Sequence, residues 1–323
     1  MRYKRKSILI GTGSVGLLYD YNLKNMYYSH IKSIKKSNHF YLEAVFDISL
    51  KNFSKIKKKF NLELKHVSKI NDYDFETAII SSSIESHYKV FNLLIFNNNL
   101  KNLIIEKPCT YEYKEIKKII NICKKKKINL FINYHRNFIS YFKKIQKILK
   151  NNGKSKIFIN YNNGIYNNLS HFINFLIQIY GNPKSLIIFR KNKFNKNDIN
   201  ADLEIEFKNA IVSSYYNILK KNSSCDIIVL GKYKFFTDDQ FNQFNFYKNN
   251  SDFLSRKKIY SSKKNKILNK NLNKYQLEVY ERINLLIKNK SKNIHKLNNI
   301  ALKTHEILEK IKKKQTHKRI YFN

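Results

Sequence analysis

Residues 8–16 read ILIGTGSVG, an apolar run that stops at three glycines, Gly11, Gly13 and Gly16, in GxGxxG spacing. The whole chain holds only seven glycines. In a turn that follows a strand, the first glycine permits a tight bend and the second lets a pyrophosphate approach the backbone. The third lets the next helix pack close to the strand, with phosphate charge at the helix N-terminus. The motif alone is weak, because a purely structural glycine turn is spelled the same way. Context strengthens it. The strand candidate SILI (7–10) precedes it, and the next one, YLEAVFD (41–47), ends in Asp47, an acid suited to the hydroxyls of an adenosine ribose. Asp47 lies 31 residues past Gly16, farther than the usual ~20, so an insertion must sit in the first crossover.

Outward from this turn, residues 1–134 alternate short β-type runs with helical patterns. A Lys-rich helix candidate spans about 50–60, followed by TAIIS (77–81), helical SHYKVFNLLIFN (86–97), NLIIE (102–106), helical YKEIKKIINICKK (113–125) and NLFINY (129–134). Strands alternating with helices of this length imply βαβ units and a parallel sheet covered on both faces. Beyond residue 135 the rhythm changes. A helix, SYFKKIQKILKN, leads to the strand KIFINY (156–161) and a helix beginning at Ser170. SLIIFR, DLEIEF, AIVSSYYNI and DIIVL then follow with no helix between them, which reads as antiparallel α+β architecture. Two further helices are expected near 274–288 and 298–313, and residues 240–270 are an Asn/Lys/Ser-rich stretch without a clear pattern.

Composition bounds the remaining possibilities. With 323 residues and 42% hydrophobic content the chain can bury a sizeable core, and its length suggests two domains. The formal net charge is +40, from 63 Lys+Arg against 23 Asp+Glu. A nucleic-acid binder is one reading of such a charge, but it calls for arginine at base contacts and a basic stripe on one element. Here the lysines run the whole length, as in 55–59, 124–127 and 312–314, and abundant Lys, Asn and Ile is what AT-rich codons impose. Solvated lysine faces are the simpler account. No apolar stretch reaches the ~18 residues of a membrane span, and the run before Gly11 is too short for a signal-peptide core. Cys109, Cys123 and Cys225 form no CxxC pair, so neither a disulfide framework nor a metal site is expected, and a reducing cytoplasm is the consistent setting.

Two more stretches carry chemistry. Glu106-Lys107-Pro108 falls at the end of a strand, the edge of an open α/β sheet where ligands bind. A lysine there can donate to a substrate oxygen and, as a positive charge, lower the pKa of a nearby hydroxyl. Pro108 is one of only two prolines, and an X-Pro bond is the realistic site for a cis peptide that aims the preceding side chain. In NNGIYNNLSHFINFLIQIYGNP, Ser170 is a candidate N-cap and Gly181 a C-cap, with Pro183 beyond. His171 would then sit at a helix start, where the dipole favours the neutral imidazole that a general base needs. Taken alone, His171 reads equally well as a capping or surface histidine.

These pieces occur in an order that resembles one family. GxGxxG after the first strand, an acidic end to the second, SSSIESH (81–87), EKP (106–108), NYHRNF (133–138) and Gly164-x-x-Asn167-Asn168-x-Ser170-His171 resemble the Gfo/Idh/MocA family, the glucose-fructose oxidoreductase and inositol dehydrogenase group. NIALKTHEILEKI (299–311) resembles its closing helix, and the longer first crossover resembles a branch linked to polysaccharide or nucleotide-sugar metabolism.

The resemblance implies an α/β protein. A Rossmann-type doubly wound parallel sheet (1–134) is followed by an α+β substrate-binding and oligomerisation domain (135–323) with a mixed, largely antiparallel open sheet. It implies NAD as cofactor, with NADP as the alternative, and hydride transfer to or from a hydroxyl or ketone of a sugar or nucleotide-sugar. By position, Gly11, Thr12, Gly13, Ser14, Val15, Gly16, Asp47, Ser82, His87, Glu106, Lys107 and Arg136 would line the cofactor cleft. Lys107, Asn167 and His171 would meet substrate, with Lys107 polarising it and His171 exchanging the proton. A homo-oligomer is implied as well. Two departures stand out. Asn167 replaces the Asp common four residues before the histidine, and Ser82-Ser83 replaces the usual Thr-Pro. The first motivates an alternative, a family member that binds dinucleotide but has lost its chemistry.

Overall fold

The alternation read in the first half comes from strands whose successive residues enter two different cores. In the computed structural model, which describes residues 3–217, 225–237, 243–248, 264–269 and 272–322, the first sheet is built from β1 (Arg5–Ile10), α1 (His30–Lys36), β2 (Phe40–Asp47), α2 (Phe53–Phe60), β3 (Leu64–His66), β4 (Thr77–Ile80), α3 (Ile84–Leu94), β5 (Asn102–Glu106), α4 (Tyr113–Lys125) and β6 (Asn129–Asn133). Its six strands run in the order β3-β2-β1-β4-β5-β6, all parallel. Ile8, Ile10, Ala78, Ile80, Leu103, Ile105, Leu130 and Ile132 pack on one face with α3 and α4. Their neighbours Leu9, Ile79, Ile104 and Phe131 pack on the other. Period-two side chains that are apolar on both faces are what a doubly covered parallel sheet requires.

The expected insertion lies in the first crossover. One helical turn follows the glycines, closed by Leu17 N–H to Gly13 O (2.9 Å) and Tyr19 N–H to Ser14 O (2.9 Å). The chain then loops out and restarts as α1 only at His30. Asp20, fully buried, ties the loop down by accepting from Tyr28 N–H (2.7 Å) and Ser29 N–H (3.1 Å).

The second half contains α5 (Ser140–Lys150), β7 (Ser155–Tyr161), α6 (Ser170–Tyr180), β8 (Ser185–Lys193), β9 (Ile199–Glu206), β10 (Ala210–Tyr216), β11 (Cys225–Leu230), β12 (Tyr233–Thr237), β13 (Gln243–Lys248) and β14 (Lys264–Asn269). After α7 (Tyr275–Lys288) and α8 (Asn293–Lys313), β15 (Arg319–Tyr321) completes a nine-stranded sheet, ordered β14-β13-β12-β11-β7-β10-β9-β8-β15. Only β7 and β10 pair in parallel; the other neighbours are antiparallel. Ile157, Ile159 and Tyr161 of β7 are buried while Phe158 between them is exposed, so one face is covered and the other open. Most of the Asn/Lys/Ser-rich stretch 240–270 lies outside the described residues.

The division of the chain differs from a single break after residue 134. Residues 1–139 and 273–305 form one compact unit, and 140–272 with 306–323 the other. The cause is the apolar stripe of α7. Val279, Tyr280, Ile283 and Leu286 are buried in the same core as Leu9, Phe40 and Ile104, covering the parallel sheet. Periodicity showed that this helix exists and not which sheet it covers.

Within the first unit His305 is 1% exposed and its Nδ1 lies 2.9 Å from Ala301 O. Burial pushes its imidazole down to about 4, against smaller opposing pulls from the Ala301 and Thr110 carbonyls. A histidine depressed in the folded state contributes stability above its unfolded pKa, near 6.5, and loses it as pH falls through the folded value. We expect stability to drop by about 3 kcal/mol between pH 7 and 4 through this group. Urea unfolding across that range should show a steeper acid loss in wild type than in His305→Gln.

Candidate functional site

β1 and β4 are adjacent but their connections leave in opposite directions, which opens a crevice at their C-terminal ends. The glycine turn sits there. Gly11 has φ +102°, and a Cβ on it would lie 2.3 Å from Ser82 N, so the turn can press against the end of β4 only as glycine. At Gly16 a Cβ would fall 2.2 Å from Gly11 O, whereas at Gly13 it would meet nothing within 4 Å. Two glycines close the turn on itself and the middle one leaves room for an incoming group.

Asp47 closes the cradle from β2. Its Oδ2 accepts from Thr12 N–H (2.7 Å) and Thr12 Oγ1–H (2.6 Å), and its Oδ1 accepts from Ser49 N–H (3.3 Å). Asn52 Nδ2 donates to Thr12 O (3.0 Å), fixing the same residue from below. These groups line a cavity of about 320 Å³ whose walls include Gly11, Gly13, Asp47, Lys51 and Ser82. Ser82 Oγ accepts from Ser86 Oγ–H at 2.6 Å. His87 is 1% exposed; its Nε2 faces Ser82 O and its Nδ1 faces Cys109 O, each at 3.0 Å. Burial lowers its pKa, with the two carbonyls opposing. It sits between the β4 turn and the turn after β5, and as a neutral imidazole it donates to one of the two carbonyls.

The second cluster stands farther along the same strand-end edge. The Lys107-Pro108 peptide is cis. Glu106, at the end of β5, is buried, with Oε1 2.9 Å from His30 Nε2 and in a short hydrogen bond from Asn133 Nδ2, and with Oε2 accepting from Lys107 N–H at 3.3 Å. Burial alone would raise its pKa. His30 foremost, then Asn133 and Lys107, hold it below the ordinary carboxylate range. Past β6, Arg136 is buried and His135 half-buried, 5.1 Å from the ring of Tyr275. Desolvation, with Arg136 and Lys107 nearby, drives the His135 imidazole well below its usual value.

In the second unit the GIYNNLSH stretch departs from expectation. Ser170 does not cap a helix: Ile165–Leu169 form a π-helical turn that runs straight into α6, and Ser170 Oγ–H back-bonds to Tyr166 O at 2.6 Å. The helical stretch therefore starts after Gly164, and His171, half-buried, lies well past the first turn, beyond the reach of the dipole. The early start is caused by Asp198, which sequence reading missed. This 2%-exposed carboxylate accepts from Tyr166 N–H (3.1 Å), Asn167 N–H (3.1 Å) and Ile199 N–H (2.8 Å). A Cβ at Gly164 (φ +83°) would lie 2.2 Å from Asp198 Oδ2, so the glycine admits the carboxylate. Burial raises the Asp198 pKa against these backbone donors. At the other end Gly181 caps α6 at φ +81°, as its position before Pro183 foretold.

Residues 23–134 match the family model GFO_IDH_MocA, described as an oxidoreductase family with an NAD-binding Rossmann fold. The matched segment, which takes in most of the parallel sheet, is similar to the NAD-binding oxidoreductases of that family. No curated protein matches the sequence. Among solved structures, the oxidoreductase yvaA of Bacillus subtilis is similar at TM-score 0.75 and 16% identity, over 99% of this chain and 100% of that one. An oxidoreductase from Agrobacterium radiobacter, solved with NAD+, L-tartaric acid and magnesium, is similar at TM-score 0.71 and 13% identity, over 99% and 98%. The dehydrogenase MviM of Clostridium difficile follows at 0.69 and 16%, over 96% and 99%. At these identities the similarity is one of fold, and it extends over both units.

If Asp47 holds the adenosine ribose, as its place at the end of β2 suggests, its charge would oppose a 2'-phosphate. We expect wild type to bind NADH more tightly than NADPH, and Asp47→Ser to narrow that preference by about tenfold or more. Fluorescence titration with both dinucleotides measures it.

Proposed function

We propose that this NAD-dependent oxidoreductase acts on a hydroxyl or ketone of a sugar or nucleotide-sugar. The observation that carries the reading lies within the Rossmann unit: the glycine cradle with Asp47 and the Lys107-bearing turn share one C-terminal sheet edge. The residues fit the dinucleotide, since Gly13 leaves its approach open and Asp47 stands at the end of β2. When bound, the nicotinamide accepts or donates the hydride.

The chain's own groups handle the proton and the charge. In this proposal the Lys107 ammonium donates to the reacting oxygen and stabilises negative charge developing there. His171 takes the hydroxyl proton in oxidation and returns it in reduction. Asn167 serves as a neutral hydrogen-bonding group toward substrate. A decayed, binding-only member is the second reading, favoured by that same asparagine. NADH binding without turnover across a sugar panel would select it.

A second copy of the chain is the partner we assign to the open sheet face. In one register row Phe236, Ile228 and Phe158 stand side by side, exposed by 44%, 40% and 37%, in a chain whose other surfaces have 63 Lys+Arg to draw on. Such a contiguous apolar row is what a subunit interface supplies.

Lys107→Met should abolish turnover while leaving NADH affinity within a few-fold of wild type; unchanged turnover would remove Lys107 from the chemistry. His171→Ala should lower kcat by about 10²- to 10⁴-fold, and a loss below tenfold would return it to a structural part. For the open face, Phe158→Lys should reduce the mass measured by light scattering to that of one chain.

A further inference from the structure

Glu106 is the hub of a ring of side chains brought together from four separate parts of the chain. His30 Nε2 lies 2.9 Å from Glu106 Oε1. Gln276 Nε2 lies 3.3 Å and the Tyr280 hydroxyl 2.7 Å from His30 Nδ1. Asn133 Nδ2 donates to Gln276 Oε1 at 3.2 Å and also to Glu106, which closes the ring. His30, Asn133, Gln276 and Tyr280 are each at most 3% exposed. An ionised carboxylate only accepts, so the proton of His30 that faces it must be on Nε2. In the neutral imidazole Nδ1 is then an acceptor with a single lone pair, which the Tyr280 O–H at 2.7 Å takes, while the Gln276 N–H at 3.3 Å lies beside it. Asn133 Oδ1 is left without a partner.

Fold stability does not call for this arrangement. Desolvating a carboxylate is costly, and apolar residues of similar volume commonly do as well or better in such places. What the carboxylate does that an apolar side chain cannot is hold the next residue: its second oxygen receives the Lys107 backbone N–H at 3.3 Å. Its charge is felt nearby, since the phenols of Tyr280, Tyr275 and Tyr19 are raised first by burial and then by Glu106.

We propose that His30, Gln276 and Tyr280 are positioning residues that lock the Glu106 carboxylate and through it the Lys107 turn. The inference rests on the reading of Lys107 as a substrate-polarising group, but the ring geometry is independent of any substrate.

The test compares full-length His30→Leu, which removes the donor to Glu106, with His30→Gln, whose amide restores one. Two readouts are taken: the rate at which an amine-directed reagent labels Lys107, quantified by peptide mapping against surface lysines, and steady-state kinetics. His30→Leu should change the Lys107 labelling rate at least several-fold with other lysines unchanged, and lower kcat by about 10²-fold with KM for the dinucleotide within a few-fold. His30→Gln should lie much nearer wild type in both, and Tyr280→Phe, which removes the hydroxyl at His30 Nδ1, should fall between His30→Gln and His30→Leu. Equal effects of Leu and Gln, or unaltered Lys107 labelling in a folded His30→Leu protein, would overturn the proposal. If wild type turns over no sugar, the functional reading fails while the labelling comparison still decides the positioning claim.

Discussion

The close approach of Gly11 to the start of the β4 turn governs the first unit. With no side chain at residue 11, the backbone at the end of β1 passes against Ser81 and Ser82, and Ser81 Oγ–H bonds back to Gly11 O at 2.9 Å. That contact sets the crevice at the strand ends where the sheet order reverses. Asp47 reaches Thr12 from one side because the turn is held there, and His87 braces the other side. A methyl group at residue 11 would push the turn off β4 and disturb each of these at once.

Much of this unit was legible in its residues. The five runs read as β1, β2, β4, β5 and β6 alternate between two cores, and that pattern is local and strong. β3, three residues long at the sheet edge, gave no such signal. The return of α7 to the first sheet was not legible either. An amphipathic stripe such as Val279, Ile283 and Leu286 states that a helix covers something, and only the tertiary fold says what.

The candidate site divides in the same way. Glycines, Asp47 and the EKP turn are sequence-adjacent or follow a strand directly, so spacing found them. Asp198 and His30 act through space. Asp198 lies 31 residues beyond Asn167 and moves the start of the His171 helix back by more than a turn, with Gly164 as the only local trace. His30 meets Gln276 and Tyr280 from the far end of the chain, and nothing in SHIKSIKK distinguishes it from a surface histidine. The misreading of Ser170 as a cap has the same origin. Its hydroxyl is satisfied by Tyr166 O inside a helix that a distant carboxylate had already started.

The central claim is that the glycine turn is a dinucleotide cradle, and Gly13 gives the cleanest access to it. A Cβ there meets no protein atom, so Gly13→Val should fold with unchanged thermal stability while filling the space left for the ligand. Calorimetric titration with NADH measures the consequence. Wild type should bind NADH, and Gly13→Val should lose more than about tenfold in affinity. Equal NADH affinity in the two equally stable proteins would contradict it.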